Sequence, residues 1–209
     1  LGRARAAGPS ALAACAGTAT AEVGATDPSE AALVDPLTGI LRPERMAGAA
    51  RKFLARGRRL GRPVTVMHVG IDGMRDLNER FGREAGEAVL KGMGGILSRE
   101  LRETDLVGRA DGDYFIAIVE CGVEEARKAA DRVIARVREA QVPAGMSVIR
   151  FTVSVGLAGE TEEGAPPHLL RAAETAMHAA RHEGRNVHLV YRRALEAATP
   201  APDVKKDIF

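Results

Sequence analysis

Residues 106–120 read Leu-Val-Gly-Arg-Ala-Asp-Gly-Asp-Tyr-Phe-Ile-Ala-Ile-Val-Glu. Two apolar, β-branched runs flank an Asp-Gly-Asp centre. Asp and Gly are the residues that accept the tight backbone of a turn, so the stretch is predicted as a hairpin with strands over 106–110 and 114–120. On its N-terminal side, residues 64–71 are almost continuously apolar, the pattern of a strand buried on both faces. Between them, Ala85, Val89, Leu90, Met93, Ile96, Leu97 and Leu101 recur at helical spacing over 84–101. A shorter helix is predicted over 74–80, and another over 44–58 through Met46, Ala50, Phe53 and Leu54.

C-terminal to the hairpin, Ala126, Ala129, Ala130, Val133, Ile134 and Val137 lie on one face of a helix over 123–138. A strand is predicted over 149–157. A helix over 166–183 is opened by Pro166-Pro167 and closed at Gly184. A last strand covers 187–191. Strands thus alternate with amphipathic helices, giving an α/β fold: a central mixed sheet flanked by helices. The domain is placed at 31–192. The Ala- and Gly-rich segment 1–30 reads as a linker or partly ordered segment, with a helix start near Pro28, and Asp35-Pro36-Leu37-Thr38-Gly39 as a turn. Residues 193–209 read as a loosely held tail.

Composition narrows the function classes. The 209 residues are 45% hydrophobic and contain no Trp, so an aliphatic core is expected. Thirty basic residues nearly cancel 28 acidic ones, leaving +2, which gives no footprint for nucleic acid. No apolar run approaches the ~20 residues of a membrane span. Cys15 and Cys121 lack metal-ligand spacing, which fits a reduced, cytoplasmic protein. The first residue is Leu, and the chain reads as a piece of something longer.

Several motifs occur in order: Asp35-x-Leu-Thr-Gly39; Gly70-Ile-Asp-Gly-Met-Arg-Asp-Leu-Asn78; Phe81-Gly82 with Gly86-Glu87; the hairpin; Thr152-Val-Ser-Val-Gly156; and Ala173-Glu-x-Ala-Met-His-x-Ala-Arg181-x-x-Gly184-Arg185-Asn186. Over residues 35–191 the chain resembles the bacterial GGDEF family of diguanylate cyclases, which make cyclic di-GMP from GTP. The hairpin departs from that family's Arg-x-Gly-Gly-Asp/Glu-Glu-Phe. Its first Gly is Asp111 and its Glu is Tyr114, while Gly112 and Asp113 keep the pattern. Gly70 stands where the family has a metal-binding Asp. The resemblance therefore implies a lost catalytic site, with no cofactor required. A weak cyclase would have to hold Mg2+ through Asp113 and the Ile71 carbonyl. Read without the family, Asp111, Gly112 and Asp113 are ordinary turn residues.

Asn78 and Glu87 match the family's guanine-recognition positions, and Arg181 and Arg185 its phosphate-contacting ones. They leave open a GTP-binding regulatory module, with Mg2+ only in that case. An Asn capping a turn and arginines on a solvated helix end explain the same residues without a ligand. Arg102-x-x-Asp105 matches the family's product-inhibition site. Arg132 matches a third residue of that site, and Arg56 an arginine lent by a neighbouring domain. An Arg fork suits guanine and phosphate, although a helix-end ion pair also accounts for Arg-x-x-Asp. The resulting expectation is an inactive domain that receives cyclic di-GMP and signals to a protein partner or upstream regulatory domain. A homodimer is compatible with it, and so is a scaffold that binds no nucleotide. His178 and His182 have metal-compatible i,i+4 spacing but no evident third ligand, so no metal is assigned. His68 is expected to be packed.

Overall fold

The computed structural model describes residues 33–145, 147–159 and 168–198. The expected linker over 1–30, Pro166-Pro167 and the tail beyond 198 lie outside them.

Five strands form one sheet. They are β1 (Thr65–Ile71), β2 (Leu106–Arg109), β3 (Tyr114–Val119), β6 (Val153–Ala158) and β7 (His188–Val190), in the order β2-β3-β1-β6-β7. β1 lies at the centre, antiparallel to β3 and β6, and β7 runs parallel to β6. Every residue of β1 is buried, as its unbroken apolar run requires. The sheet is mixed and flanked by helices.

Side chains alternate across the strands, and the two faces carry separate cores. Met67, Val69 and Ile71 of β1 enter a cluster with α3 (Arg83–Glu100) and α4 (Val123–Glu139). Val66, Ile118 and Ala158 face the other way, toward α1 (Pro43–Leu60) and α5 (Leu169–His182). A short helix, α2 (Met74–Phe81), follows β1. α1 starts at Pro43 and stops at Gly61, whose φ of 62° turns the chain so that its N–H donates to the Arg58 carbonyl and the Arg62 N–H to that of Gly57. α5 lies unusually close to the sheet at Gly156. A Cβ there would overlap the backbone of Ala173 and Met177, so glycine is what permits the approach.

Two expectations need correction. The strand expected over 149–157 is two elements. The alternation through Ile149, Phe151, Val153 and Val155 is real, and all four are buried. The backbone nevertheless changes partner. β5 (Ser147–Ile149) pairs with β4 (Val142–Ala144), while β6 starts at Val153 on β1. Period-two burial cannot report which strand accepts the hydrogen bonds. Among the described residues α5 starts at Leu169, and its expected opening at Pro166-Pro167 lies outside them. Lastly, the expected tail opens with a helix, α6 (Arg193–Ala198), anchored by Leu195 against the second cluster. Among the described residues no helix is long and apolar enough to cross a membrane.

Candidate functional site

The C-terminal end of β1, the hairpin, α2, α3 and the end of α5 surround a cleft of ≈ 790 Å³. Its floor is set by strand register. Gly70 pairs with Tyr114 on one side and Ser154 on the other. Gly70 faces α5, and the space above it is filled. A Cβ on Gly70 would lie 2.6 Å from Arg181 Nη2 and 3.0 Å from Met177 Sδ.

The Arg181 guanidinium is locked there. Nη2 donates to the Ile71 carbonyl at 2.7 Å and to Asp113 Oδ2 at 3.0 Å. Nη1 donates to the Tyr114 hydroxyl at 2.9 Å, and the cation also stands 4.9 Å from the Tyr114 ring centroid. A planar fork with several donors can meet all these acceptors at once, which an ammonium cannot do in the same geometry. Gly70, Tyr114 and Arg181 therefore touch one another.

Asp72 is spoken for as well. Its carboxylate accepts from Thr152 Oγ1 at 2.8 Å, Ser154 Oγ at 2.7 Å and the Asn186 backbone N–H at 3.1 Å. That last bond fixes a turn in which Gly184, Arg185 and Asn186 all have positive φ. The turn places Arg185 on the cleft wall.

The hairpin is braced from a distance. Arg109 donates to Asp35 Oδ2 at 2.9 Å and to the Gly112 carbonyl at 3.0 Å. Burial opposes ionisation of Asp35. Hydrogen bonds from Arg109, the Leu37 N–H and Thr38, with the Arg109 charge, outweigh it and hold the carboxyl below its ordinary value. Gly112 has a φ of 64°, so the turn needs its glycine, while Asp111 is exposed and needs no left-handed backbone.

The Tyr114 ring lies 5.5 Å from that of His68 and 6.3 Å from that of His178, between centroids. Burial, then the charges of His178 and Arg181, push His68 down to about 3. It is packed and neutral, and its Nδ1 has no partner. His178 stands near Glu174. Among the described residues no three His, Cys, Asp or Glu side chains are arranged to hold a metal ion.

Asn78 of α2 and Glu87 of α3 line the same cleft. Asn78 leans over Gly86, where a Cβ would collide with its Oδ1. Glu87 pairs with Arg83 at 3.2 Å in the open.

A second cluster forms where α3 ends. Asp105 Oδ2 accepts from the Arg102 backbone N–H at 3.0 Å, and the Asp105 N–H donates to the Arg102 carbonyl at 2.9 Å. The Arg-x-x-Asp segment is thus a capped turn. The Arg102 guanidinium is exposed and has no hydrogen bond or ion pair among the described residues. Arg132 reaches across from α4 to the Glu100 carbonyl at 3.4 Å, two residues before Arg102. Arg136 pairs with Glu100 at 3.0 Å. Arg56 is not part of this cluster. It is exposed on α1, which packs on the other face of the sheet.

The family model described as "Diguanylate cyclase, GGDEF domain" matches residues 32–187. The chain belongs to the GGDEF family. The chain is 29% identical over 161 residues to the response regulator PleD of Caulobacter vibrioides, covering 75% of this chain and 36% of PleD. It is 26% identical over 157 residues to the diguanylate cyclase DgcS of Shewanella oneidensis, covering 75% of this chain and 52% of DgcS. The chain thus spans a third to a half of these relatives. The GGDEF domain of Pseudomonas aeruginosa YfiN superposes with a TM-score of 0.72 at 25% identity, covering 79% of this chain and 98% of that one. The diguanylate cyclase SiaD of the same organism, solved with its activator SiaC, gives 0.71 at 26%, covering 78% and 63%.

Within this GGDEF domain, the residues present do not fit a divalent ion at the end of β1. Such an ion needs several free oxygens. Position 70 offers none. The Ile71 carbonyl and Asp113 are bonded to a guanidinium, and Asp72 to three donors. Reading the sequence found each of these positions but missed two pairings. Arg181 with Asp113 and Arg109 with Asp35 join residues 68 and 74 positions apart, a separation that no local pattern reports.

Proposed function

We propose that this GGDEF domain is a catalytically silent receptor for cyclic di-GMP that signals to a protein partner or to domains outside this chain. The observation that carries the reading is the contrast between its two arginine sites. In the cleft, Arg181 is bound to the two oxygens a metal would need. At the end of α3, the Arg102 guanidinium is exposed and unengaged among the described residues, with Asp105 fixed beside it and Arg132 one helix away. A flat dianion with guanine edges suits such a fork and carboxylate. Arg56 would serve only from a second copy or a neighbouring domain. Binding would shift whichever domain arrangement holds the ligand better.

Calorimetric titration of cyclic di-GMP, with Arg102→Ala alongside, tests the receptor half. Binding in the parent that is lost in the variant supports it; an absence of binding in the parent sinks it. Incubation with GTP and Mg2+ tests the silent half, and formation of cyclic di-GMP would restore the reading of a weak cyclase.

One observation favours a second reading, a GTP-binding regulatory module: Asn78, Glu87 and Arg185 share one open cleft. It requires GTP affinity that Asn78→Ala abolishes and Arg102→Ala leaves alone.

A further inference from the structure

We infer that Arg181 is the resident cation of the cleft: the domain has exchanged a removable divalent ion for a charge tethered to its own helix. The inference rests on the silent half of the proposed function and is independent of cyclic di-GMP binding.

The geometry is specific. The guanidinium occupies the space a side chain at position 70 would enter, with Cζ 3.0 Å and Nη2 2.6 Å from the place of its Cβ. It bonds to the two oxygens that remain for a cation, the Ile71 carbonyl and the Asp113 carboxylate. The Tyr114 hydroxyl, which has no counterpart in the family pattern, accepts from its other terminal nitrogen. The side chain is only 22% exposed, so the charge is held inside the wall of the cleft.

Each change makes sense of the others. An acidic side chain at 70 would collide with the fork. Glycine removes it and leaves both oxygens needing a donor. An arginine supplies two terminal nitrogens where a lysine supplies one point charge. Tyr114 then gives the second nitrogen an acceptor and a ring face for the cation. A group carried on α5 cannot be diluted or chelated away, so the cleft's charge is constant whatever the surrounding concentration of divalent ions. A phosphate-bearing ligand entering the cleft would meet this cation and Arg185 without a metal bridge.

Manganese is the probe. Binding of Mn2+ to the whole chain is read from the loss of its free paramagnetic resonance signal, and thermal unfolding is followed with and without the ion. The parent should bind no stoichiometric Mn2+ and show no shift in Tm. Gly70→Asp combined with Arg181→Lys should bind one ion per chain and melt higher in its presence. Arg181→Ala creates no clash and frees the same oxygens, so it should gain a Mn2+-dependent rise in Tm even if the double variant does not fold. Stoichiometric Mn2+ binding by the parent, lost in Asp113→Asn, would overturn the inference. So would a folded Arg181→Ala and a folded double variant that both ignore the ion. Either result leaves the cyclic di-GMP titration untouched, so the two readings fail separately.

Discussion

Arg181 stands over Gly70, its Nη2 2.6 Å from the place a Cβ on that glycine would take. The contact joins a glycine on the central strand to an arginine on α5, 111 positions apart by their numbers in the sequence. It makes position 70 sensitive in a way its exposure does not reveal. Gly70→Ala should destabilise by about 1–3 kcal/mol, because the arginine must leave its acceptors to make room. Combining it with Arg181→Lys should give less than the sum of the two single losses. Urea unfolding of the four proteins measures the coupling, and strict additivity would show that the contact carries no energy.

The brace between Arg109 and Asp35 is mostly buried, with side chains 20% and 12% exposed. Removing one partner leaves the other charge with little solvent. Arg109→Ala should therefore cost about 3–5 kcal/mol at most, less to the extent that water reaches the site. Arg109→Lys should recover little of it, since one ammonium cannot span Asp35 and the Gly112 carbonyl as the fork does. Denaturant midpoints check both.

Glu100 holds two of the cations at the end of α3: Arg136 at 3.0 Å and, more loosely, Arg132 at 4.0 Å. Glu100→Ala would release them toward an anionic ligand. Cyclic di-GMP affinity should rise severalfold, about 0.5–1 kcal/mol, with a steeper loss on adding salt. Titrations at two ionic strengths read this directly. An unchanged affinity would remove Arg132 from the proposed binding site.

His68 predicts an acid-side pH dependence. It lies beside the Tyr114 ring, and burial, then the charges of His178 and Arg181, lower it from 6.5 to about 3. Between those values the unfolded chain binds a proton that the folded one refuses. Stability therefore rises with pH through that window, by up to about 1.4 kcal/mol per pH unit from this group. Asp35, also lowered, acts in the same direction at the acid end. His68→Leu should flatten the slope between pH 5 and 6.5 in urea titrations, whereas an unchanged slope would assign it to other groups.

The sequence by itself determined the family frame, the buried central strand and the helices over both faces. These follow from local periodicity and from motifs a few residues long, which one segment carries alone. Only the tertiary structure decided which side chains meet at the end of β1. Gly70, Asp113, Tyr114 and Arg181 lie on three separate elements, and sheet register plus the close seat of α5 at Gly156 bring them within bonding distance. The same holds for the partner change between Ile149 and Val153, where burial keeps its alternation while the hydrogen bonds pass from β4 to β1. A side chain's type is written locally, but the acceptor it finds depends on which strands and helices pack beside it.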